Sequence, residues 1–313
     1  MTAGFWEKLE KPISASAPMA GVTDAAFRRL LAETGKPDVI WTEMISLAGI
    51  MARGEEAFET QMSFSKAERP VVFQFFGSDP REFTLCGKIA KARGADGIDI
   101  NMGCPDKAVE KQGAGAIIMK SPHLAKEIIT ATMENAKGLP VSVKTRLGYA
   151  SIDEMENWIT AIAETRPAVI SIHGRIRAER RKGKADWGRI KKTGEIIKSI
   201  SPETLVIGNG DIKSRKEGET LVSEAGIDGY MVGRALVGNV WFFSGEKVTK
   251  ERKLNGALRH LELFKELLAE EESFEMMKKH LAGYANGFIG AKKLRTKLMN
   301  AKSADEAMGM LTK

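Results

Sequence analysis

Cys104 stands in Asn101-Met-Gly-Cys-Pro, a short loop closed by a proline and followed by the glycine-rich run 111–116. A thiol so placed can serve as an acid or a nucleophile. Lys144 and Arg146 occupy alternate positions of one apolar run and therefore point to the same side. Two unpaired cations there would be costly, so an anionic or electron-rich ligand is expected to meet them. His173 ends another apolar run, with Arg175 two positions on. The glycine-rich turns 208–212 and 232–236 have the composition that lets backbone N–H groups approach a phosphate, and Arg234 is placed to add a charge-assisted contact. Cys86, inside an amphipathic stretch, reads as a small buried apolar residue. No serine elbow, HExxH pair, Walker GK[ST] or carboxylate pair is present, which leaves redox chemistry on a bound cofactor ahead of hydrolysis or phosphoryl transfer.

The elements that must carry these residues alternate. Short β-branched runs at 13–19, 38–44, 70–76, 97–103, 140–146, 168–174, 204–210 and 228–234 are bounded by turn residues. Amphipathic stretches at 24–34, 80–93, 122–137, 152–165 and 186–199 lie between them. Strand and helix in alternation predict a parallel sheet with right-handed crossovers, and eight such units fit an α/β (β/α)8, or TIM, barrel. No GxGxxG follows the first run, against an open dinucleotide-binding sheet. The unusual polar residues fall where a barrel places chemistry, at the C-terminal strand ends: Pro18 and Met19, Gln74, Asn101, Lys144 with Arg146, His173 with Arg175, Asn209 with Asp211, and Arg234. Beyond about Gly245 the strand-like runs stop. The chain is therefore divided into a catalytic barrel over 1–245 and a small helical domain over 246–313 that docks on it, with a helix near 254–270 and a capping-box start at Ser303 and Glu306.

Composition bounds the class. The 313 residues are 43% hydrophobic and 28% charged, and no apolar run is long enough for a membrane helix. The first residues offer no export signal, so a cytoplasmic protein is expected, with no membrane partner. Two cysteines and four histidines give neither a disulfide framework nor a zinc spacing, so no metal site is expected. Lysine and arginine total 48 against 41 acids, a formal charge of +7 that hints at an anionic partner.

The motifs at 18–30 (PMAGVTDAAFRRL), 42–44 (TEM), 74–80 (QFFGSDP), 99–105 (DINMGCP), 143–148 (VKTRLG), 172–175 (IHGR), 185–187 (ADW), 209–212 (NGDI) and 232–239 (VGRALVGN) resemble, in order and spacing, the dihydrouridine synthases. The tail over 278–295 resembles the helical RNA-binding end of the bacterial members. That family reduces the C5=C6 bond of uridine in folded RNA, usually tRNA, using FMN recharged by NADPH. The resemblance implies that Pro18, Met19 and Ala20 lie against the flavin, that Gln74 and Lys144 contact its polar edge, and that His173 is near it. Asn209, Gly210, Asp211, Gly233 and Arg234 would hold the ribityl chain and phosphate. Cys104 matches the family's general acid, protonating C5 while hydride reaches C6. Asn101, Arg146 and Arg175 are expected beside the substrate. Departures occur at Ile176, at Arg181 and Lys182, and at 238–240, away from this chemistry.

Charge then acquires a location. One loop carries Arg175, Arg177, Arg180, Arg181, Lys182 and Lys184, and the tail carries Lys278, Lys279, Lys292, Lys293, Arg295 and Lys297. Both suit a phosphate backbone. Lys292, Lys293 and Arg295 are the tail's expected RNA contacts, and a monomer needing no protein partner is expected. NADH in place of NADPH, a ribosomal RNA substrate, and a small-molecule FMN barrel oxidoreductase of the dihydroorotate or dihydropyrimidine type stand as alternatives.

Overall fold

The structure is a computed structural model and describes residues 3–312. The outer limits of the two expected domains, Met1 and Lys313, lie outside the described residues. Eight strands form one parallel sheet: β1 (Ile13–Ser16), β2 (Ile40–Ser46), β3 (Val71–Phe76), β4 (Gly97–Met102), β5 (Val141–Arg146), β6 (Val169–His173), β7 (Leu205–Asn209) and β8 (Gly229–Val232). Neighbours run β1-β8-β7-β6-β5-β4-β3-β2. The ends meet where Ala15 bridges Val39, with Ser16 N–H donating to Val39 and Val39 N–H to Ser14. The sheet closes into the expected (β/α)8 barrel.

The period of two within each strand decides what fills it. Outward positions such as Ile98, Ile100, Val141, Val143, Ile170, Ile172 and Val206 pack under the surrounding helices. Inward, the N-terminal layer is apolar: Ala15, Trp41, Val72, Val169, Ile207 and Met231 form one cluster, plugged by Trp6 from the turn at Gly4–Lys8, whose ring lies 5.8 Å from that of Trp41. Two residues further along β3 and β6 the inward positions become Gln74 and Ser171, and β4 and β5 add Asp99, Ser142 and Lys144 to the same polar layer. The barrel is sealed at one end and polar at the other, the end from which its βα loops emerge.

The helices follow the amphipathic stretches with corrections at their ends. Asp24 caps the helix Ala25–Thr34 by accepting from Phe27 N–H at 2.9 Å. The stretch 80–93 divides into Pro80–Phe83 and Cys86–Ala92, and 122–137 ends at Glu134. Helices at Leu47–Arg53 and Arg215–Ala225 fall outside the stretches read from periodicity. In the tail, Lys250–Leu267, Met277–Tyr284, Ala291–Asn300 and Ala304–Leu311 are helical. Ser303 caps the last by accepting from Glu306 N–H, but the Glu306 carboxylate takes Lys302 N–H, so the reciprocal half of the box is shifted one residue back.

Phe27, Leu30 and Leu31 of the first barrel helix share one core with Leu261, Phe264 and Tyr284 of the tail. A Cβ at Gly238 would lie 2.1 Å from the backbone of Gly283, so the loop after β8 can touch the tail helix only because a glycine stands there. Truncating Phe27 would leave a cavity across this junction costing roughly 3–5 kcal/mol.

Candidate active site

The polar mouth is built strand by strand. Gln74 on β3 pairs in register with Asp99 on β4, and Asp99 with Ser142 on β5. Their side chains join: Ser142 Oγ donates to Asp99 Oδ1 at 2.5 Å and Gln74 Nε2 to Asp99 Oδ2 at 2.6 Å. Asn101 Nδ2 donates to Gln74 Oε1 at 2.9 Å, while Asn101 Oδ1 accepts from the backbone N–H of Gly103 (3.2 Å) and Cys104 (3.0 Å). The Cys104 loop is gripped from two other directions as well. Arg146 Nε donates to the Gly103 carbonyl at 2.8 Å, and Ala116 N–H donates to the Cys104 carbonyl at 2.9 Å. Cys104 therefore hangs at the mouth on an immobilised backbone. Burial raises its thiol above the ordinary value, with the Asp106 N–H, Arg146 and Lys144 opposing, so the proton stays on sulfur at neutral pH. Cys86 is fully buried, and burial pushes its thiol far up, as expected of an inert residue.

Beside it lies a cationic wall. Lys144 Nζ donates to Asn209 Oδ1 at 3.3 Å, and Asn209 Nδ2 to the Met231 carbonyl at 2.7 Å, linking β5, β7 and β8. Burial, reinforced by Arg146, lowers Lys144 to about 8. Arg146 is lowered to about 10, again by burial first. Its guanidinium also reaches the Arg180 carbonyl at 3.1 Å, so its donors are committed chiefly to backbone. His173 is held well below the usual imidazole range by burial and then by Arg146, Lys144, Arg175 and Arg234, and is neutral.

At the glycine-rich turns Asp211, with φ of 55°, organises the arginines. Its Oδ2 accepts from Arg175 Nη2 at 2.5 Å and Ala185 N–H at 2.8 Å, and its Oδ1 from Arg234 Nη2 at 2.7 Å. Gly210 has φ of 134°, and a Cβ there would lie 2.5 Å from the Ala185 side chain and 3.2 Å from the His173 ring. Gly233 is next to Met19, whose sulfur would be 3.3 Å from an added Cβ. Pro18 and Met19 are half-buried and Ala20 exposed on the loop after β1. Thus Lys144, His173, Asn209 and the two glycine turns follow one another from β5 to β8 around the mouth, and Cys104 follows β4, the strand that pairs with β5. Lys144, Arg146, Arg175 and Arg234 share the single carboxylate Asp211, which takes Arg175 and Arg234, so the mouth keeps a positive excess suited to an anionic, hydrogen-bond-rich group such as a flavin mononucleotide.

Two expectations about charge are revised. Arg175 is 2% exposed, with its guanidinium against the Lys182 and Gly183 carbonyls, His173 Nε2 and Asp211, so it builds the loop from within. Arg177 pairs with Glu110 and is also not free. The basic face of that loop reduces to Arg180, Arg181, Lys182 and Lys184, all exposed. Lys292 and Lys293 are exposed and Arg295 half-buried on the tail helix Ala291–Asn300. Asp99 and Ser142 were missed as members of the site. The signal was their period-two spacing from Asn101 and Lys144, which in a barrel strand means the same inward face.

A closed (β/α)8 barrel with a thiol and a row of cations at its C-terminal mouth is an enzyme scaffold, with its polar groups at the end where barrels carry their chemistry. Solved structures share the barrel: the old yellow enzyme homologue from Zymomonas mobilis (TM-score 0.54, 12% identity, 76% of this chain and 89% of that one) and histamine dehydrogenase from Rhizobium sp. 4-9 (TM-score 0.53, 13% identity, 80% and 48%). The family model for dihydrouridine synthase matches residues 15–313. The Bacillus subtilis (strain 168) protein named probable tRNA-dihydrouridine synthase 2 is 38% identical over 99% of this chain and 96% of its own. The Staphylococcus aureus (strain MRSA252) protein named probable tRNA-dihydrouridine synthase is 39% identical over 99% and 95%. The chain belongs to the dihydrouridine synthase family. Among the described residues no helix is long and apolar enough to cross a membrane.

Proposed function

We propose that this protein reduces the C5=C6 bond of uridine in tRNA, with FMN bound at the barrel mouth and NADPH, or NADH, as the electron donor. The observation that carries the reading is the seating of Cys104 on a backbone fixed by Asn101, Arg146 and Ala116, at the end of the strand that adjoins the one carrying Lys144, which itself reaches Asn209. Bound FMN supplies the hydride that reaches C6. Cys104 delivers its proton to C5 from the opposite face, and burial keeps that proton in place until the substrate arrives. Lys144 stabilises negative charge on the group beside it and, with Gln74, contacts that group's polar edge, while Asn209 holds its ribityl chain. Pro18, Met19 and Ala20 border its face, while Gly210, Asp211, Gly233 and Arg234 hold its phosphate end and His173 lies alongside. The base must leave its stack to enter, and the tail cations Lys292, Lys293 and Arg295 grip the RNA while it does. Arg175 supports the substrate side through the loop it anchors.

The test has two parts. The purified protein should carry, or take up, a flavin visible by its absorbance; a colourless protein that refuses added FMN would sink the reading. Dihydrouridine mapped in the RNAs of a strain lacking the gene should disappear from tRNA positions, and its loss from ribosomal RNA alone would move the substrate.

A further inference from the structure

We infer that Asp99 is a positioning residue: it sets the direction of the buried hydrogen-bond chain through Gln74 and Asn101, and that direction is what seats Cys104. Asp99 is fully buried, Gln74 is 1% exposed and Asn101 7%. A carboxylate can only accept, whereas each amide can be turned either way. With Asp99 accepting from Ser142 and Gln74, Gln74 must present its NH2 to Asp99 and its carbonyl to Asn101. Asn101 must then spend its NH2 on Gln74 and aim its carbonyl at the N–H groups of Gly103 and Cys104. In the reverse sense the Asn101 NH2 would face those two N–H groups, donor against donor, and both loop hydrogen bonds would be lost. Gln74 would also set its carbonyl against the Asp99 carboxylate, and at that buried contact the mismatch is not rescued by solvent. Burial raises Asp99 to about 6 against the pull of Gln74, Ser142 and Lys144, which leaves it a carboxylate at neutral pH.

The consequence for catalysis rests on the reading of Cys104 as proton donor, but the seating is a property of the loop and can be read without turnover. Cys86 is fully buried, so alkylation of the native full-length protein by iodoacetamide at one mildly alkaline pH reports on Cys104. Asp99→Asn replaces the acceptor-only group by an amide that can present either its oxygen or its NH2 to Gln74, so the direction is no longer imposed, and Cys104 should alkylate faster, by up to about tenfold where both backbone hydrogen bonds to its loop are lost. In dihydrouridine formation the same variant should lose kcat about tenfold with KM for RNA unchanged. Adding Gln74→Glu restores a carboxylate facing Asn101 and an amide facing Ser142; the thiol rate should return to within about twofold of native. Ser142→Ala keeps the carboxylate and should leave the thiol rate unchanged. The inference is overturned by a native thiol rate in Asp99→Asn, by acceleration in Ser142→Ala, or by a double variant no slower than the single one. Should Asp99→Asn not fold, the double variant decides, since recovery of a folded protein with the native rate supports the inference and failure to recover refutes it. A wild-type protein that forms no dihydrouridine would overturn the proposed function and leave the thiol result standing.

Discussion

Asp211 holds the buried guanidinium of Arg175 at 2.5 Å while its other oxygen holds Arg234 at 2.7 Å, so one carboxylate joins the loop after β6 to the turns after β7 and β8. Burial alone would raise Asp211, but Ala185 N–H, Arg175 and Arg234 outweigh it and keep the carboxyl below its ordinary range. Asp211→Ala strands Arg175, which is 2% exposed, with only carbonyls and a neutral imidazole around it. The expected loss is roughly 2–4 kcal/mol, at the low end for a broken buried pair because Asp211 itself is partly exposed. Urea unfolding should show a lower midpoint at unchanged slope; an unaltered midpoint would mean that the carbonyls suffice.

Cys104→Ala should keep flavin binding and NADPH oxidation and lose most of the dihydrouridine product. Because burial raises the thiol, the Cys104 proton should be lost, and product formation with it, only as pH rises through a value above the ordinary thiol. Equal product from the alanine variant and the native protein on unmodified RNA would remove Cys104 from the acid role.

Lys144 makes a pH prediction with a definite sign. Its charge is present below about 8 and lost above, so affinity for an anionic flavin should be full on the acid side and weaken as pH rises through that region. Titrating FMN against apoprotein by fluorescence across that range should show the decline. Lys144→Met should bind more weakly throughout and show no corresponding step.

The tail supplies a salt prediction. Among the described residues no carboxylate lies within ion-pair distance of Lys292, Lys293 or Arg295, whereas Arg259 and Lys265 of the neighbouring helix are paired with Glu33 and Asp305. Replacing the three by alanine should weaken RNA binding and flatten the dependence of log K on log salt by about one per contact removed. FMN binding should stay as it was. An unchanged slope would place the RNA elsewhere.

The strands, the order of the barrel and the positions of Cys104, Lys144, His173 and Asn209 were legible in the sequence because each depends on local chemistry. β-branched runs, turn residues and a period of two state which residues lie inward at a strand's C-terminal end, whatever the neighbours are. What sequence alone could not show is which inward groups meet. Gln74, Asp99 and Ser142 become adjacent only through the register of three strands far apart in the chain, and the direction of their hydrogen bonds exists only once they touch. The basic loop is the clearest case. Its arginines look alike in sequence, but folding buries Arg175 against Asp211 and pairs Arg177 with Glu110, leaving Arg180, Arg181, Lys182 and Lys184 to the solvent. Residue type determined that charge would be there; only tertiary contact, through burial and long-range pairing, decided which charges remain available to an RNA and which serve the fold.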